Sequence, residues 1–276
     1  MVFDKLKSKI ASLCLAGLLL FSENAKANFK EDQAVVLVTN MATSCLISGI
    51  GSKYHKEGFF KGCGKGLIAG GIIYGGKEIA RHTEYDGLPL LGKLVHSTGV
   101  SMRDNVAEGN EMFENYKVDF GPVLFSFDRK EGFDAYLLPG SLGGLAYNIA
   151  SGNKFDIENT LKFGTPIFRF EEDKIAEILS GVEDVIGATK TNIMAIGEDN
   201  NISEDEITKH EFTHALQYRE GTWLDQVIES DRLIGKQKYI KLGPDAQLIL
   251  IGILPQLTVD YKDRPLEFEA FEGYTK

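Results

Sequence analysis

Histidine and cysteine are scarce in this chain, and positive charge never accumulates. Five histidines and three cysteines stand among 276 residues, and no histidine follows His214. Cys14 lies in the first 27 residues, so Cys45 and Cys63 are the thiols of the remainder, too few for a cysteine-based metal site. Lys and Arg number 30 against 40 Asp and Glu, a net charge of −10. With no basic stripe to neutralise phosphates, this balance argues against nucleic acid as a partner. A neutral or cationic polypeptide is compatible with it. The length fits one or two domains with a sizeable core.

The N-terminus carries an export pattern. Lys5, Lys7 and Lys9 precede an apolar run from Ile10 to Phe21, and Ala25-Lys26-Ala27 reads as an A-x-A cleavage site. That run is too short to span a bilayer comfortably, so residues 1–27 are expected to be a cleaved signal peptide. Leu13 before Cys14 argues against lipidation. The expected location is the periplasm or cell envelope, or outside the cell. In such an oxidising compartment Cys45 and Cys63 could pair, although their spacing does not fix the geometry.

Three regions follow. Residues 28–86 read as a Gly-rich helical hairpin. Charge is absent from Gln33 to Ser52, a polar turn spans Lys53 to Gly58, and Gly62, Gly66 and Gly70 then recur every fourth residue, with Gly71 and Gly75 repeating the step. Such small-residue ridges let helix backbones approach closely. A hairpin buried against the rest is the expectation. Membrane association is the alternative, weakened by Lys61 and Lys65 and by the polar residues between Thr39 and Ser48. Residues 87–172 read as β-rich: from Leu91 to Phe170 the pattern has period two, through Val118, Phe120, Val123, Phe125 and Phe127, then Leu137, Leu138, Leu142 and Tyr147, then Phe163, Ile167, Phe168 and Phe170. His96 near its start reads as structural. Residues 173–276 read as mostly helical: a linking helix near Lys174–Gly181, a strand over Thr191–Ile196, an acidic turn at 198–201, then helices at Trp223–Leu233, at Ala246–Leu257 and after Pro265. The fold class is α+β.

The richest stretch lies in the last region. His210, Glu211 and His214 form H-E-x-x-H, which on a helix puts both imidazoles on one face, where they can share one ion at about 2.0–2.1 Å each. Glu211 lies about 100° round the axis, able to reach an activated water without ligating. Ser203 and Glu206 form a capping box, and Glu204, Asp205 and Glu206 suit the positive end of the dipole. A helix from near Glu204 to Tyr218 is predicted. The plainer reading is two surface histidines on a charged helix.

The motif resembles that of the zincin metallopeptidases. The form with Gly and His three and six residues further on is excluded, because Gln217 and Glu220 stand there. Leu266-Glu267-Phe268-Glu269-Ala270 resembles the Glu-x-x-Ala segment of the gluzincins, though Phe271 stands where related families carry Asp. The resemblance covers about a quarter of the chain. It implies Zn²⁺ held by His210, His214 and Glu267 (Glu269 as runner-up), with Glu211 as catalytic base. It also implies an edge strand, here Thr191–Ile196, before the helix, to which an extended polypeptide adds. Tyr218, Arg219 and His96 are candidate oxyanion donors, and Gln217 is expected to pack or hydrogen-bond near the site. The expectation is an exported peptidase using a metal-activated water. The alternative is a non-catalytic cell-envelope protein whose hairpin and β-region bind membrane or a partner.

Overall fold

The computed structural model describes residues 33–170, 187–197 and 202–221. The chain divides between Val35 and Val36, and the packing below concerns residues from Val36 on. Six helices, an antiparallel three-stranded sheet and a mixed four-stranded sheet make the described part α+β.

Two long helices, α1 (Gln33–Tyr54) and α2 (Phe59–Ala80), form the hairpin. Glycine sets how closely they pack. A Cβ on Gly62 would stand 2.5 Å from the Ser48 carbonyl oxygen, and one on Gly70 2.5 Å from that of Asn40. One on Gly66 would collide with the Ser44 carbonyl. Cys45 and Cys63, 18 residues apart, are joined by a disulfide that staples the two helices. Gly71 and Gly75 meet nothing within 4 Å; the glycine that packs on the next helix is Gly76, against His96.

That next helix, α3 (Leu88–Ala107), corrects the expected period-two reading from Leu91. It buries Lys93, His96, Ser97, Ser101, Arg103, Asp104 and Asn105 alongside Val100 and Val106, and leaves Leu91 and Leu94 exposed. A helix that buries polar residues and exposes leucines does not show the usual apolar-inward stripe, and Pro89 in its first turn after Gly87 is the surviving start signal.

Strands β1 (Asn115–Phe120), β2 (Val123–Asp128) and β3 (Gly132–Leu137) form the expected meander. Its inner side carries polar residues. Asp119, Leu124 and Ser126 are buried on the side towards α3, where Lys93 Nζ lies 3.2 Å from Asp119 Oδ2 and the Lys117 amide donates to Ser101 Oγ at 2.9 Å. The outward side carries Tyr116, Phe127 and Phe133 in register across the three strands, with ring centroids 6.2 and 5.1 Å apart. Beyond Leu137 the β-rich reading holds at Lys154–Asp156 and Ile167–Arg169 and fails before and between them. Leu142 and Tyr147 lie on α4 (Pro139–Ala150), begun by its proline, and Phe163 ends α5 (Ile157–Phe163), capped by Asp156 and closed by Gly164 at φ 64°.

The second sheet has the order β4-β5-β7-β6, from Lys154–Asp156, Ile167–Arg169, Ile193–Ile196 and Gly187–Lys190 respectively. β5 and β7 are parallel and the outer pairs antiparallel. The strand expected at Thr191–Ile196 exists over Ile193–Ile196, but it is interior. Among the described residues β6 is outermost on that side, because Thr191 and Asn192 turn the chain back on itself. The last helix, α6 (Glu204–Gly221), packs on β6 and β7. Ile207, Phe212, Ala215 and Leu216 join Ile167, Met194, Ile196 and Phe163 in one core, with Phe163 and Phe212 edge to face at 4.9 Å.

Candidate metal centre

The sequence starts α6 as expected. The Ser203 amide donates to Glu206 Oε2 and the Glu206 amide to Ser203 Oγ, both at 3.3 Å, the reciprocal pair of a capping box. With the N-terminus fixed and the apolar side on β7, His210 and His214 fall on one flank of the helix.

Their Nε2 atoms stand 3.1 Å apart, with the ring planes at 85°. An ion at about 2.0–2.1 Å from each nitrogen would see them at roughly 95–100°, close to a tetrahedral angle. Such a pair is either one N–H···N hydrogen bond or a two-nitrogen clamp. Gln217 Oε1 accepts from His214 Nδ1 at 2.8 Å. With the proton held on Nδ1, His214 Nε2 keeps a lone pair directed at the shared point, which serves either use. Two imidazole nitrogens are of a kind that ligates Zn²⁺ but make only half of a four-coordinate site.

Glu211 is buried and turns from the clamp flank to the edge strand. Thr189 Oγ1 on β6 lies 2.7 Å from Glu211 Oε2 and 2.9 Å from the Glu211 backbone oxygen. Beside it, a Cβ on Gly187 would stand 2.7 Å from Glu211 Oε1. Neither Thr189 nor Gly187 was marked by the sequence. The short run Gly187-Ala188-Thr189-Lys190 has weak strand character, and the contact spans 22 positions.

The described residues bring His210 and His214 together, while the Glu211 carboxylate faces Thr189 and Gly187 of β6. Among the described residues no third His, Cys, Asp or Glu completes a metal group. Glu267 and Glu269 lie outside the described residues, as do residues 1–27, the linking helix at 174–181, the acidic turn at 198–201 and the C-terminal helices. Glu220, six residues past His214, is engaged elsewhere: its Oε1 lies 2.5 Å from Lys77 Nζ and 3.0 Å from His96 Nε2. Two expected oxyanion donors fall with it. His96 is buried on Glu220, and Arg219, on the far side of α6 from His210, faces Asp104 at 3.6 Å. Tyr218 alone of the three shares the clamp's side of the helix.

Comparison with family models, curated proteins and solved structures finds no match to this chain.

Proposed function

We propose that this chain is an exported zinc-dependent metallopeptidase. The observation that carries the reading is the 3.1 Å pair of Nε2 atoms, one held in its tautomer by Gln217, with Glu211 at the next position round the helix. A structural zinc site has no use for a glutamate there. His210 and His214 would hold the ion, with Glu267 as third ligand and Glu269 as runner-up. The ion, when bound, supplies Lewis acidity that brings a water's pKa towards ~7 and polarises a carbonyl.

The protein's own groups do the rest. Glu211 takes the proton of the attacking water and returns it to the leaving amine. Its burial against β6 shields that proton from bulk solvent. The polypeptide substrate is extended, a form that matches the outer side of β6, which pairs with no other strand among the described residues.

A second reading has its own support. α1 is long and apolar enough to cross a membrane by length and composition, and the three-stranded sheet turns an aromatic row outward. A non-catalytic envelope protein binding membrane or a partner would use both.

Metal content and peptide-library turnover of the wild type beside Glu211→Gln separate the two. Zinc retained in both, with turnover reduced at least 10²-fold in the variant, is the expected result. Full zinc with no wild-type turnover overturns the peptidase in favour of the binding protein. Glu267→Gln should lower zinc occupancy and Glu269→Gln should not.

A further inference from the structure

The Thr189 hydroxyl touches both the backbone oxygen and the carboxylate of Glu211, at 2.9 and 2.7 Å. We infer that Thr189, with Gly187, positions Glu211 for proton transfer from the edge strand. This inference rests on the hydrolase reading and adds to it the groups that hold its base.

A hydroxyl suits that task. Its single proton can be donated to a carboxylate oxygen, and its lone pairs can accept from a carboxylic acid. When Glu211 holds a proton, the Thr189 hydrogen can turn to the Glu211 backbone oxygen while Oγ1 accepts from the acid. The carboxyl then keeps a partner through the whole proton cycle without moving.

Gly187 acts by space. Its backbone is not in the left-handed region, yet an added Cβ would lie 2.7 Å from Glu211 Oε1 and 2.9 Å from Ile207 Cγ2. The carboxylate would have to move off the strand.

The strand carrying both residues is itself locked. Asn192 in the β6–β7 turn is buried, and its amide donates to Asp119 Oδ2 at 2.6 Å and to the Gly121 carbonyl at 2.7 Å. Asp119 is in turn held by Lys93. Thr191 beside it sits at φ 63°, strain for a β-branched residue that this buried anchor offsets. A strand fixed from behind can fix a side chain in front.

The test uses Thr189→Val, which keeps the shape and strand preference, together with Thr189→Ser and Gly187→Ala. Thr189→Val and Gly187→Ala should each lower kcat about 10-fold or more with KM and zinc content unchanged, and Thr189→Ser should restore most of the rate. A readout without turnover is a thermal-unfolding cycle on metal-free protein. Thr189→Val should lower Tm more in the wild-type background, where both bonds are lost, than in Glu211→Ala, where only the bond to the backbone oxygen of residue 211 remains to be lost. Equal Tm shifts in both backgrounds, or a serine variant no better than valine, overturn the inference in an active protein. A wild type without turnover whose cycle still shows the coupling overturns the hydrolase reading and leaves Thr189 a structural contact.

Discussion

Gln217 stands one turn beyond His214, and its amide oxygen decides which imidazole nitrogen carries the proton. Removing that oxygen leaves the ring free to change tautomer and leaves Nδ1–H to find another acceptor in a buried setting. Gln217→Leu is expected to weaken zinc binding about 10–100-fold with α6 intact, read by competition against a chromogenic chelator. Unchanged affinity would mean that the amide does not set the tautomer. At this scale the sequence was legible where a local rule applied. Helical spacing put His210 and His214 together, and the capping box named the start of their helix. Thr189 was not legible, because its contact with Glu211 depends on β6 being the edge strand, and no local pattern orders strands in a sheet.

Between α1 and α2, glycines that look alike in sequence do opposite work. Gly66 faces a carbonyl of the neighbouring helix, whereas Gly71 faces open space. Gly66→Ala must push two backbones apart and should cost about 1–3 kcal/mol. Gly71→Ala adds a helix-favouring methyl where nothing is in the way and should stabilise by about 0.5–1 kcal/mol. Urea unfolding of the two variants should show midpoints moving in opposite directions. Two stabilised variants would mean that close approach is not what the glycines serve. The four-residue step made the hairpin legible, but not which repeat met the partner helix. The meander was legible as strands but not as to facing. Period two says that the faces differ, and a buried polar helix, α3, then selects the polar face as the inner one. The same buried polarity hid α3 itself among strand-like residues.

Across the whole molecule, α6 is held at both ends: by the Ser203–Glu206 box at one, and by a buried ionic cluster at the other. Arg103 donates to the Glu220 backbone oxygen at 2.8 Å, while the Glu220 carboxylate meets Lys77 of α2 and His96 of α3. These partners lie 117 to 143 positions away (220 − 103 and 220 − 77), so the sequence could mark His96 as structural without naming what it touches. Burial alone would raise the Glu220 pKa, but the Lys77 ammonium and the bond from His96 outweigh it and bring it down to about 2. Burial also holds His96 below the usual imidazole value, so the neutral ring donates its Nε2–H to Glu220. The linkage then has one sign. A carboxylate whose pKa is lower in the folded state adds stability above its unfolded value, 4.5, and loses it as pH falls towards 2. Glu220→Gln strands the Lys77 ammonium in the interior and should cost about 3–5 kcal/mol near neutrality. The difference between wild type and variant, read from urea midpoints at successive pH values, should hold steady above pH 4.5 and shrink between 4.5 and about 2. A difference that stays constant through that window would mean that Glu220 is not the proton-linked tie between α6 and the hairpin.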